Sequence, residues 1–176
     1  MKIRFLALLL STTFVTITLA ACGGSEATPA SSADASESTE HAAPAPAAAE
    51  IPEGAKVIQP DGDMLAFKTT EFSVRAGEEV TLVFQNTAKS AAMSHNVLVL
   101  KTTDAVNRVG QASMAAGPAR DYIPDDDAII AATPLAAPGE TVQVTFTAPA
   151  EPGDYPYICT FAGHYMAMRG TMKVTS

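Results

Sequence analysis

The chain has 176 residues, with 11 Lys+Arg against 19 Asp+Glu, three His and two Cys, a length that suits one ordinary domain with a tail to spare. Some 47% of the residues are apolar, enough for a real core, and the net charge of −8 excludes a nucleic-acid binder working through a clustered basic face. With so few His and Cys, any transition-metal or nucleophilic chemistry depends on where they are placed.

Lys2 and Arg4 form a short positive start, and Phe5 to Ala21 is an uncharged apolar run of 17 residues, the pattern of an export signal. The run ends in Leu19-Ala20-Ala21-Cys22, which resembles a bacterial lipobox, whose cysteine is acylated and becomes the new N-terminus. A plain signal peptide or a single membrane anchor is the alternative, but the run is short for a span and Gly23-Gly24-Ser25 follows it without a charge cluster. The expectation is a signal peptide over 1–21, a lipidated Cys22 and a tether over 22–50. The tether is Ala, Ser, Pro and Glu without apolar periodicity, so it cannot bury enough surface to offset the entropy of ordering it. As a coil it would measure about 30 Å end to end. His41 falls within it and is discounted as a ligand.

The remaining 51–176 carry nine Lys/Arg and 14 Asp/Glu, a net −5, which favours solubility and basic partner patches. Short runs of β character, separated by turn residues, recur along this region. Met64–Lys68 and Phe72–Arg75 give the first alternations, and Arg75-Ala-Gly-Glu78 a turn. Glu79–Gln85 alternates cleanly, with Val80, Leu82 and Phe84 on one face. Asn96–Lys101 is a denser apolar run that suits a strand buried on both sides. Residues 104–117 are Ala- and Met-rich, with Val106, Val109 and Met114 spaced for a helix. Ile129–Ala131 follows the acidic turn at 125–127, Thr141–Thr147 alternates after Pro138-Gly139, and Tyr155–Thr160 and Gly170–Thr175 complete the set. About eight short strands with one helical flap predict an all-β fold, a Greek-key β-sandwich. Strands from both ends of this region are expected to lie near each other.

The chemistry concentrates between the last two strands, in Cys159-Thr-Phe-Ala-Gly-His164-Tyr-Met-Ala-Met168. Upstream, Met93-Ser94-His95-Asn96 opens another strand. A thiolate, two imidazoles and a thioether can therefore meet at one end of a sandwich. Soft sulfur ligands select copper and imidazole suits it, so the set points to copper, which also outranks zinc in intrinsic affinity. Met166 and Met172 compete with Met168 as the thioether. The acidic run Asp125-Asp126-Asp127 lacks the spaced oxygens and terminal Glu of a calcium loop and reads as a solvated turn.

These motifs resemble the cupredoxins of the azurin and auracyanin type. The resemblance spans most of 60–176 and includes the Cys-x4-His-x3-Met spacing, Met-Ser-His-Asn at 93–96, Asp121-Tyr-Ile-Pro-Asp-Asp126 and Tyr157-Ile-Cys-Thr-Phe161. It implies a trigonal plane of His95, Cys159 and His164 around one copper ion, with Met168 as weak axial ligand. Ser94 stands where azurins place a backbone carbonyl opposite the methionine. By the same resemblance Asn96 would tie the two ligand loops together, and the amides of Asn96 and Phe161 would donate to the Cys159 sulfur. Around an electron port at His164, Met93, Met114, Gly163, Tyr165, Met166 and Ala167 would form an apolar docking patch. Several positions depart from the family pattern. Ala162 replaces the azurin Pro and frees an N–H that would raise the reduction potential if it points at the sulfur. The azurin disulfide is missing, Ala132 replaces a surface His, and Val97 replaces a Trp.

The function implied is one-electron transfer by a type 1 copper site with no open position for a substrate, hence no enzyme. The carrier is expected to be monomeric and extracytoplasmic, on the periplasmic side. A lipid anchor would hold it at a membrane, near redox proteins of a respiratory or photosynthetic chain. Two rivals remain at this level: a copper-handling lipoprotein that exchanges metal with partners, and a structural lipoprotein in which the ligand pattern is coincidence.

Overall fold

The computed structural model describes residues 51–176; the export signal, Cys22, the tether and His41 lie outside the described residues. Among the described residues, eight strands and one α-helix follow in chain order: β1 Lys56–Ile58, β2 Glu71–Arg75, β3 Glu79–Gln85, β4 Leu98–Leu100, α1 Ala105–Ala116, β5 Ile129–Ala132, β6 Thr141–Thr147, β7 Gly153–Ile158 and β8 Arg169–Thr175. They form two sheets, ordered β1-β3-β6 and β2-β8-β7-β4-β5, the Greek-key sandwich anticipated from the turn spacing.

The alternating strands form as their patterns demand. β3 and β6 pair antiparallel from Glu79↔Thr147 to Gln85↔Thr141, and the period of two turns Val80, Leu82 and Phe84 inward, all buried. β2 lies parallel to β8 from Glu71↔Thr171 to Arg75↔Thr175, so an early and the last strand are neighbours. β4 is buried along its whole length because it has a layer on each face. Val97 and Val99 join Leu82, Phe84 and Tyr157 between the sheets, while Leu98 and Leu100 pack with Val106 and Val109 of α1. That second layer accounts for an apolar run without alternation.

Two expectations are corrected. Met64–Lys68 is not a strand: Asp61 N–H bonds to Ala66 O at 2.9 Å and Met64 N–H to Asp61 O at 3.1 Å, closing a turn in which only Phe67 is buried and bridges Pro60. Its apolar pattern serves a plug, since Phe67 fits between Phe84 and Tyr157 at ring separations of 6.3 and 5.1 Å. The pairing partner of β3 on that side is instead β1, parallel and three residues long, too short to stand out in the sequence. On α1, Met114 is 55% exposed, and the buried residue of that turn is Ser113.

Candidate metal centre

The site lies where four loops meet at one end of the sandwich. His95 precedes β4 and is fixed by a two-way backbone pair with Ala136, His95 N–H to Ala136 O at 3.0 Å and Ala136 N–H to His95 O at 2.8 Å. Asn86, also buried, donates to Met93 O at 2.8 Å and Ala136 O at 2.9 Å and so braces that pair from behind. Cys159 follows β7 directly, and its N–H bonds to Met168 O at 3.1 Å, closing the base of the ligand loop. Within the loop two 3₁₀ turns run over Phe161–Met166, and the carbonyl of His164 accepts from Ala167 at 3.0 Å and Met168 at 2.8 Å. These bonds turn the chain back so that Met168 enters the core beside Cys159.

Three donor atoms converge. Cys159 Sγ is 3.6 Å from His95 Nδ1 and 3.8 Å from His164 Nδ1, and the two imidazole nitrogens are 3.2 Å apart. A point equidistant from all three lies about 2 Å from each, the length of a metal–imidazole bond. Among the described residues this is the one cluster of three or more His, Cys, Asp or Glu that could hold a metal ion. His95, Cys159 and Met168 are fully buried, whereas His164 is half-buried. Met166 is 72% exposed and so points away from the buried site, while Met172 is buried in the middle of β8.

Burial sets the charge states. Desolvation, reinforced by the neighbouring His164, lowers the pKa of His95 to about 4, and desolvation likewise lowers that of His164. Both rings are neutral at pH 7 and offer a lone pair. Burial pushes the Cys159 thiol up to about 12, against the pull of the amides of Asn96 and Phe161, which donate to the sulfur. A thiolate so deeply buried needs a cation beside it. Two neutral imidazoles, a thiolate and a thioether are the donor set that suits copper.

The surrounding residues hold this arrangement. Buried Asn96 donates to Asp121 O at 2.8 Å and to Thr160 Oγ1 at 2.9 Å, and accepts from Thr160 N–H at 2.8 Å. One side chain thus joins the segment after His95 to the residue after Cys159. Phe84 meets His95 edge-on at 6.3 Å, and Phe161 lies 5.0 Å from the His164 ring. Ser94 is half-buried at the foot of His95. Of the expected patch, Met93, Gly163 and Tyr165 are half-buried, and Met114, Met166 and Ala167 are exposed. The freed amide of Ala162 is not among the donors to the sulfur. Ala162 instead takes φ 38°, a left-handed conformation that proline, locked near −65°, cannot adopt.

Sequence reasoning missed several supports. Thr133 Oγ1 accepts from Val97 N–H at 3.0 Å. The Asp63 carboxylate accepts from Lys89 and Ser90 N–H at 2.8 and 3.0 Å, which holds its pKa below the usual carboxylate range and fixes the loop leading to His95. Nothing in their local sequence distinguishes these residues from ordinary turn residues.

Residues 54–175 match the family of copper binding proteins, plastocyanin/azurin family. Auracyanin-A of Chloroflexus aurantiacus is 48% identical over 115 residues, covering 64% of this chain and 69% of the relative. An azurin of Methylobacillus flagellatus is 35% identical over 119 residues, 64% of this chain and 80% of the relative. Among solved structures, the "blue" copper protein auracyanin A of Chloroflexus aurantiacus aligns with a TM-score of 0.63 at 46% identity, over 68% of this chain and 96% of that one. Dithionite-reduced auracyanin from the photosynthetic bacterium Roseiflexus castenholzii aligns with a TM-score of 0.64 at 38% identity, over 69% and 97%. The fold, the converging donors and these matches agree: the chain belongs to the plastocyanin/azurin family of copper-binding proteins, and His95, Cys159, His164 and Met168 form its single-copper site.

Proposed function

We propose that the protein is a monomeric one-electron carrier, held at the periplasmic face of a membrane by a lipid on Cys22. It serves redox proteins of a respiratory or photosynthetic chain. Its family is that of the blue-copper electron carriers. The observation that carries the reading is the asymmetry of enclosure: His95, Cys159 and Met168 are buried, and of the four His164 alone is partly exposed, two residues from exposed Met166. Copper, when bound, supplies the chemistry, gaining and losing one electron between Cu(II) and Cu(I).

The residues supply rigidity and access. Backbone bonds at Ala136 and the Cys159–Met168 closure keep the donors still, so little structure has to change with the metal's charge. The full burial of His95, Cys159 and Met168 favours a carrier over an enzyme, which would need an open position for a substrate. Exposed Met166 near His164, with the expected Met93 and Met114, would make a small apolar surface of the kind that brief redox encounters use. The auracyanin relatives come from photosynthetic bacteria, which favours a membrane-bound chain as the setting. A tether of 22–50 behind a lipid would raise the carrier's effective concentration there.

Two experiments test this. Met166→Glu places a charge on the patch without touching the metal; electron self-exchange should slow by about tenfold, like charges now facing each other in the encounter, while the absorption spectrum stays the same. Unchanged self-exchange would contradict the port. Cys22→Ser should release the protein from membranes, and continued retention would contradict the lipid anchor.

A further inference from the structure

The helix α1 donates no ligand, yet it touches the ligand loop on both sides of His164. The first contact is at Gly110, in the middle of the helix. A Cβ built there would lie 2.2 Å from Tyr165 Cγ, 2.3 Å from Cδ2 and 2.6 Å from Cδ1. The Tyr165 ring therefore rests on the helix backbone, and no methyl group fits between them. Glycine is among the poorest helix formers, and α1 is otherwise rich in alanine. Gly110 is not among the glycines at positive φ. What this position requires is space, not backbone freedom.

The second contact is one turn further on. Ser113 is fully buried, and its hydroxyl is 2.7 Å from Gly110 O and 3.1 Å from Thr160 O. Its single O–H is shared between the helix carbonyl and the carbonyl of the residue that follows Cys159. Thr160 is gripped from its other side by Asn96, at 2.8 Å through its N–H and 2.9 Å through its hydroxyl. Beyond His164, Arg169 Nε donates to Tyr165 O. The loop is thus anchored four residues before His164 and one residue after it.

Between these anchors the backbone is left-handed, at a cost for Ala162 but not for Gly163. Ala162 and Gly163 take φ 38° and 88°, and a left-handed alanine persists only where its surroundings impose it. We infer that α1 is a clamp for the ligand loop, with Gly110 and Tyr165 as the positioning pair that fixes His164 at the metal. The inference rests on the copper reading of the loop and deepens it: the helical flap becomes part of what tunes and retains the ion. Tyr165, expected as a patch residue, acts chiefly as an anchor.

The test uses the full chain carrying Gly110→Ala, Tyr165→Ala or both, each loaded with Cu(II) and compared with the parent. In either single variant, copper release to a chelator should quicken by about tenfold, in line with the loss of other residues that orient metal ligands. The thiolate charge-transfer band and the reduction potential should shift with it. In the metal-free proteins, Gly110→Ala should lower the melting temperature when Tyr165 is present. In the Tyr165→Ala background it should raise it, as an ordinary helix Gly→Ala change does. Such a reversal in sign is the signature of a shared contact. A Gly110→Ala protein that melts higher than the parent, with copper release, band and potential unchanged, would overturn the inference. If Gly110→Ala does not fold, Tyr165→Ala decides alone: undisturbed copper release and band would overturn the clamp. A parent protein without the band would overturn the copper reading and the clamp together, a result distinct from a normal parent band that no variant disturbs.

Discussion

His95, Cys159 and Met168 enter the copper site beside strand ends, whereas His164 enters it from a loop, and the two walls rest on different physics. On the strand wall the position of each donor follows from the sheet. His95 lies three residues before β4 and is bridged to Ala136, Cys159 is one residue past β7, Met168 is one residue before β8, and β4 and β7 pair at Leu98↔Ile158 and Val99↔Tyr157. Apolar packing then does the rest, with Phe84 against His95 and a continuous core behind it. On the loop wall no sheet sets the register of His164. The chain turns through two left-handed residues and is held by polar closures to Met168, Thr160 and α1. A site that must hold still through a change of charge is thus mostly inherited from the fold and, at His164, braced from outside it.

Breaking the strand wall should cost the most. Phe84 is fully buried and touches both His95 and Phe67; Phe84→Ala should lower the urea-unfolding free energy by about 3–5 kcal/mol through lost burial and a cavity. A loss under about 1 kcal/mol would mean that packing does not position His95. Cutting the link between the walls should cost less. Asn96→Ala leaves the buried Thr160 N–H and Asp121 C=O without their partner, a destabilisation of about 2–3 kcal/mol. It should also shift the reduction potential, because the amide of Asn96 that meets the sulfur loses its restraint; an unchanged potential would separate the linkage from the metal.

The mildest probe is pH. The folded metal-free protein holds His95 neutral down to about 4, whereas the unfolded chain takes up that proton near 6.5. More protons bind to the unfolded state between those values, so stability is full above pH 6.5 and falls as the pH drops toward 4. His164 shifts in the same direction. From pH 7 to pH 5.5 the metal-free protein should lose on the order of 1 kcal/mol by urea titration, and the copper-loaded protein less, since the metal occupies the lone pairs. Equal losses in both forms would contradict the neutral, ligand-ready imidazoles.

The same division governed what could be read in advance. β3 and β6 announce themselves through alternation, and the Cys-x4-His-x3-Met run is local, so its members can be named without knowing the fold. The apolar pattern of Met64–Lys68 misleads because one residue of it, Phe67, does the packing while the backbone turns. β1 is too short to signal. The braces were least legible. Ser113, Thr133 and Asp63 are small polar residues whose partners lie 47, 36 and 26 residues away. Gly110 looks like a weak point in a helix until the Tyr165 ring is seen against it. The direction of the Ala162 amide depends on a left-handed backbone that composition does not reveal.

The central claim is that Cys159, His95 and His164 place their donors around one copper ion. It is tested most directly by the visible absorption spectrum of the Cu(II)-loaded protein beside Cys159→Ala. The account predicts an intense blue thiolate-to-copper band in the parent and its complete loss in the variant. A folded, copper-exposed parent that stays colourless, or a band that survives without Cys159, would contradict it.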